Sequence, residues 1–177
     1  WSGDWIENDP TGNGVGSGQV QVHDGFLTLN DSPDTGAHPS AERQVDLSGS
    51  GSATLSFAFA TSHGVDRSDA VTVEISDDGG ATWTVLEVID NIDGSHTGER
   101  SYDISAFIAE DVRIRFRVSN KYGGHDELFC IDWIEIVGTC EQECTGSVQT
   151  RDDFDTASFA NQDGATDWSG DWIENDP

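Results

Sequence analysis

An antiparallel β-sandwich is the fold class this sequence predicts, on three observations. Apolar and polar residues alternate in several segments, and clusters of Gly, Asp, Asn and Ser separate those segments at short intervals. No segment of helical period lies between them. A further feature decides how the sandwich is cut: the first ten residues, WSGDWIENDP, recur unchanged as residues 168–177. Ten identities in a row, with two Trp in each copy, mark one period of a tandem repeat plus an overlap. The period is 167 residues, the full 177 less the ten repeated. The chain is therefore expected to be cut within a domain, so that both ends carry the same strand.

The elements follow in order. The decapeptide reads as one strand of the sandwich. Short strands are expected at GQVQV (18–22) and GFLTLN (25–30). In SATLSFAFA (52–60), Leu55, Phe57 and Phe59 take one face and Thr54, Ser56 and Ala58 the other. AVTVEIS (70–76) alternates likewise through Val71, Val73 and Ile75. Further strands are expected at ATWTVLEV (81–88), RSYDIS (100–105), DVRIRFRVSN (111–120) and ELFCIDWIEIVG (127–138), with a single helical turn within 104–109. In the last strand Phe129 and Ile131 share one parity while Ile134 and Ile136 share the other. A regular strand cannot aim all four at one core, so a β-bulge is expected around Asp132 and Trp133. The bulge would re-aim the Asp132 carboxylate, either toward a cation or toward loop N–H groups.

Composition bounds the function. Residues 138–150, GTCEQECTGSVQT, are small and polar and read as a Cys-containing linker between a main body (1–137) and the start of the next, identical module (151–177). With 34 acidic against 8 basic residues, the net charge of −26 repels nucleic acid. No apolar run approaches 18 residues and no signal-peptide pattern is present, so the sequence reads as an internal piece of a mature extracellular or cell-surface protein. Cys130, Cys140 and Cys144 are disulfide candidates: a bridge within the 140–144 segment, or from it to Cys130, leaves one thiol for a neighbour. Zinc would need a further ligand pair that is missing.

Several motifs carry chemistry. Ser76, Asp78, Gly80 and Trp83 fit the pattern S-x-D-x-G-x-x-W; Asp78 would bind turn N–H groups, Gly80 would supply a positive φ and Trp83 would pack back over the hairpin. In VRIRFRV, Arg113, Arg115 and Arg117 share one face. They read either as a ladder of cross-strand ion pairs with Glu74 or Glu87, or as a stripe that docks an acidic neighbouring module. His23, His38, His63, His96 and His125 are scattered through predicted loops, and no nucleophile motif or paired-carboxylate geometry selects an active site, so an enzyme is not expected. Trp5 (equivalently Trp172), Trp133 and Tyr122 are candidates for stacking on a glycan. Asn30-Asp31-Ser32 is a glycosylation triplet, with Asn30 as acceptor.

Taken in rotated order, RDDFDTASFANQDGATDWSGDWIENDP followed by VDLSGSGSATLSFAFA, DAVTVEISDDGGATW and RIRFRVSNKYGGHDELFCIDWIEI resembles the jelly-roll β-sandwich modules of large secreted or surface bacterial proteins, distant relatives of MAM domains. The resemblance implies a cation, calcium, held by Asp155 after the opening Phe and by Asp132 in the final strand, with Asp153 a further candidate ligand; the MAM cysteine framework is absent. The Ser76–Trp83 motif resembles the Asp-box hairpins of sialidase propellers, where it acts as a fold staple. Two functions are expected from different classes. The first is a structural repeat of an extracellular filament or adhesin, a head-to-tail homopolymer in which 151–177 completes the neighbouring module through Phe154, Trp168, Trp172 and the Arg113, Arg115 and Arg117 stripe. The alternative is a carbohydrate-binding, lectin-like module with glycans as partners.

Overall fold

A computed structural model describes residues 1–12, 14–139 and 147–153 of the chain. Among the described residues eleven strands follow one another: β1 (Ile6–Asn8), β2 (Val20–His23), β3 (Phe26–Leu29), β4 (Ser40–Val45), β5 (Ser52–Thr61), β6 (Ala70–Ser76), β7 (Thr84–Asp90), β8 (His96–Asp103), β9 (Val112–Val118), β10 (Phe129–Thr139) and β11 (Ser147–Asp152). A 3-10 turn at Ser105–Phe107 takes the place of the expected helical turn. All described pairings are antiparallel, and they form two sheets. Strands β1-β4-β9-β6-β7 make a five-stranded sheet; β2-β3-β10-β5-β8 make the second, with β11 also on β10. The sandwich of jelly-roll type is thus the fold of this chain.

The two sheets meet through the alternation that the sequence displays. Leu55, Phe57 and Phe59 of β5 and Phe129, Ile131, Ile134 and Ile136 of β10 face Val71, Val73, Ile75, Ile114 and Phe116 from the other sheet, all buried. Phe57 meets Phe116 edge-on at 5.0 Å between centroids, and Phe59 stacks on Phe129 at 5.2 Å. Such pairs add roughly 0.5–1.5 kcal/mol beyond burial. The register of β10 against β5 shifts between Ile131 and Trp133, so the bulge lies where the parity argument puts it. Its position has a topological use. Before it, β10 pairs with β3; after it, the same edge of β10 pairs with β11.

Two strands depart from the sequence expectation. β4 is absent from it, and β11 begins inside the expected linker, at Ser147, while β10 runs on to Thr139. Strands thus enter the expected linker from both ends, and residues 140–146 between them lie outside the described residues. The expectation that 151–177 leaves its own body fails at its first residues: Arg151 and Asp152 pair with Glu135 and Ile134 of the same chain. Residues 154–177 lie outside the described residues.

Both missed strands point a polar side chain inward, and the two meet. Arg43 of β4 and Asp152 of β11 form an ion pair with side chains 0 % and 2 % exposed. The Trp5 indole N–H donates to Asp152 Oδ2 at 3.0 Å, and Arg43 Nε donates to the Gly3 carbonyl at 2.9 Å. The Arg43 guanidinium lies 5.3 Å from the Trp1 ring and 5.7 Å from the Trp5 ring. The first copy of the decapeptide thus closes one lateral edge of the sandwich. At the opposite edge, Arg100 and Tyr102 of β8 reach Glu87 of β7 across the two sheets.

Candidate functional site

The outward face of the six-stranded sheet is built from the residues that alternation turns away from the core. Register sets them in rows across the strands. Gln21, Thr28, Cys130, Ala60 and Thr97 form one row; His23, Phe26, Ala58 and Glu99 form the next, with Asp132 and Trp133 supplied by the bulge. The middle of this face carries short side chains (Thr28, Ala58, Ala60, Cys130), so it lies low between longer neighbours. Two depressions result. One, of about 380 Å³, is lined by Phe26, Ala58, Ala60, Thr97, Glu99 and Asp132 among others. The second, of about 330 Å³, includes Gln21, His23, Thr28, Asn30 and His125. β3 contributes to both, through Phe26 on one side and Thr28 on the other, so they are neighbours along one face.

The chemistry of the lining is mixed. Phe26 and Trp133 are half-buried rings, and the Arg151 guanidinium covers the Trp133 ring at 4.4 Å. Arg151 also donates to Asp153 at 2.5 Å, and Gln149 donates to Glu135 at 2.7 Å. Asp132 and Glu99 are exposed acceptors at the rim. Burial pushes the Cys130 thiol up from its ordinary pKa, while its contact with the Thr28 hydroxyl pulls the other way. Cys130 is half-buried and carries a free thiol.

The other residues singled out in the sequence scatter. Asp132 stands at the bulge, as expected, and Asp153 is engaged by Arg151. Asp155 lies outside the described residues. Among the described residues no three His, Cys, Asp or Glu side chains gather as a metal site. Cys140, Cys144, Phe154, Trp168 and Trp172 lie outside the described residues as well. Of the three rings expected to stack on a glycan, Trp5 and Tyr122 are buried at 4 % and 2 % exposure, so Trp133 alone remains on a surface. Asn30 is 7 % exposed and accepts the Ser32 N–H through Oδ1, which sets it in a pocket wall rather than on an open turn.

The face of the five-stranded sheet is engaged with itself. Arg115 and Arg117 both pair with Glu74 at 2.8 Å, and Arg113 pairs with Glu42 at 2.9 Å and Asp111 at 3.2 Å. Burial raises the Glu74 pKa, but hydrogen bonds from Arg117 and Arg115, with their charges, outweigh it and hold the carboxyl below its ordinary value. Glu87 is not a partner of this stripe; it serves Arg100. Trp83 lies over Arg115 at 3.8 Å. In the hairpin that carries Trp83, Ser76 donates to Asp78 at 2.7 Å, and Asp78 accepts from both the hydroxyl and the N–H of Thr82. Those two bonds, with the one from Ser76, hold Asp78 down to about 2. Gly80 takes φ 88°.

Comparison with known proteins adds a fold. No protein-family model matches the sequence, and no curated protein matches it. Among solved structures, a xylan-binding module, CBM15, superposes with a TM-score of 0.51 at 14 % identity, over 81 % of this chain and 94 % of its own. A CBM61 module solved with β-1,4-galactotriose gives 0.47 at 10 % identity, over 76 % and 88 %. The K2 cleaved adhesin domain of Lys-gingipain gives 0.46 at 17 % identity, over 74 % and 88 %. The first of these shares the fold of this chain, a jelly-roll sandwich.

Proposed function

We propose that this chain is a non-catalytic glycan-binding module of an extracellular protein, and that a neutral polysaccharide segment lies along the outward face of the six-stranded sheet. One observation carries the reading: a low floor of Thr28, Ala58, Ala60 and Cys130 spans adjacent strands beside two neighbouring depressions, with the Phe26 and Trp133 rings next to it. A sugar presents C–H groups to an aromatic ring and hydroxyls to polar side chains, and this lining offers both. Glu99, Asp132 and Gln21 supply acceptors and donors at the rim. The acidic rim and the net charge of −26 disfavour a uronic-acid polymer. The shared fold with a xylan-binding module supports the reading without carrying it. On the opposite face the arginines are already paired, which favours the glycan reading over one in which that stripe docks an acidic module.

Affinity electrophoresis against xylan, mixed-linkage β-glucan and galactan tests the proposal. Retardation by at least one polymer is expected. Phe26→Ala and Trp133→Ala should each weaken it by about tenfold or more, as loss of a central aromatic contact does, with an unchanged melting temperature for Phe26→Ala. Free migration in all three polymers, or full binding by both variants, would overturn it.

A further inference from the structure

Two loops meet at one end of the sandwich, 62–69 between β5 and β6 and 119–128 between β9 and β10. They are fastened to each other. The Ser62 N–H donates to the Leu128 carbonyl at 3.1 Å, the Leu128 N–H returns to Ser62 Oγ at 2.8 Å, and the Ser119 N–H donates to the Ala70 carbonyl at 2.8 Å. Gly64 lies so close to Asp126 that an added Cβ would come within 2.5 Å of its carbonyl oxygen. The second loop continues into the outward face of the six-stranded sheet. Its Tyr122 carbonyl accepts the Asp31 N–H at 2.6 Å, and His125 and Leu128 line the second depression.

At this junction sits a carboxylate without a counter-charge. Asp69 is 2 % exposed; its Oδ2 accepts the Asp66 N–H at 2.7 Å, while its buried Oδ1 has no hydrogen-bond partner. No Arg or Lys among the described residues forms an ion pair with it. In the same loops Arg67 pairs with Asp93 and His63 with Asp126, both at the surface, and the exposed Lys121 acts on Asp66. The charges that do face Asp69 share its sign: Asp66 from its own turn and Glu127 from the opposite loop. The buried Tyr122 stands beside it, its hydroxyl pushed up by burial and then by the Asp69 charge. An ionised carboxylate is costly to bury unless paired. Burial raises the Asp69 pKa to about 6, the Asp66 N–H pulls the other way, and Glu127 and Asp66 add to the rise.

We propose that Asp69 is the proton-binding element of an acid-tightened latch between these two loops. With the proton bound, Asp69 is neutral and the loops close on it. Without it, three carboxylates repel across the junction and this end of the sandwich loosens. The sign follows from linkage. A free Asp titrates near 3.9, so the stabilisation is complete below about pH 4 and is lost as pH rises through about 6. From pH 5 to pH 7 this group alone should lower the folding constant by about tenfold. The latch belongs to the fold and does not depend on glycan binding.

Urea unfolding of the full chain and of Asp69→Asn, at pH 5 and pH 7 with a chelator present, tests it. The ratio of the variant's folding constant to the wild-type one should rise about tenfold from pH 5 to pH 7. Taking that ratio removes the Trp1 amine, which burial lowers to about 6 and which titrates in the same range with opposite sign. A ratio that does not change with pH would overturn the latch. The carboxyl carbon of Asp69, followed by NMR, gives a readout that needs no variant to fold. Its midpoint should lie near 6 in the wild type and lower in Glu127→Gln; a wild-type midpoint at or below 4 refutes the proposal. Hydrogen exchange reports on the loops themselves. The amides of 119–128, corrected for intrinsic rates, should be better protected at pH 5 than at pH 7, and equal protection would show that the proton does not close them.

Discussion

Arg43 is fully buried, and its guanidinium pairs with the buried Asp152 carboxylate. Taking both charges out of water costs several kcal/mol, which good geometry and the Trp5 and Gly3 contacts offset. Breaking such a pair is costlier than never having it. Asp152→Asn keeps the shape and strips the charge that faces the buried Arg43 guanidinium, and should destabilise by about 3–5 kcal/mol. Replacing both partners, Arg43→Met with Asp152→Leu, should return most of that loss. Urea titration of the three variants decides it: a double variant as unstable as Asp152→Asn would show that hydrogen bonding to Trp5 and Gly3, rather than charge compensation, governs the site.

At the scale of the element, Gly98 shows how closely an edge strand is fitted. It lies opposite Phe59 on the inward side of β8, where an added Cβ would come within 2.7 Å of the ring. Phe59 is backed by Phe129, so the ring has little room to retreat. Gly98→Ala should therefore cost about 1–3 kcal/mol by overpacking, and less in a Phe59→Leu background, where the two changes couple. Additive losses across that cycle would show that the methyl is accommodated by backbone movement. Strands such as β5, β6 and β9 were legible because their inward residues are uniformly apolar. β4 and β11 were not, since Arg43, Thr150 and Asp152 occupy inward positions and erase the alternation. Local pattern cannot show that two such defects cancel each other across the sandwich. The bulge was legible from parity, whereas the proposed glycan face was not. Its Ala and Thr residues look like any solvent face until register brings five strands side by side, and of the rings expected to meet a glycan only Trp133 lies on it.

At the scale of the whole molecule, charge is the dominant asymmetry. Eight basic residues oppose 34 acidic ones, and seven of the eight already pair with carboxylates: Arg43, Arg67, Arg100, Arg113, Arg115, Arg117 and Arg151. Most of the remaining carboxylates are left to repel one another over the surface, which weakens the compact state. Salt acts on both contributions in opposite directions. It screens the repulsion, and it weakens exposed pairs such as Arg67–Asp93, which are worth well under about 1 kcal/mol each. The buried Arg43–Asp152 pair is largely shielded from ions. Repulsion among many unpaired carboxylates outweighs a few weak exposed pairs, so stability should rise with sodium chloride. Between about 0.02 and 0.5 M, where the Debye length contracts from roughly 20 Å to under 5 Å, a gain of about 1 kcal/mol would raise the melting temperature by about 2–4 °C. Calorimetric scans across that range test it. A melting temperature that falls with salt would mean that the paired arginines, and not the surplus of acid, set the electrostatic balance of the fold.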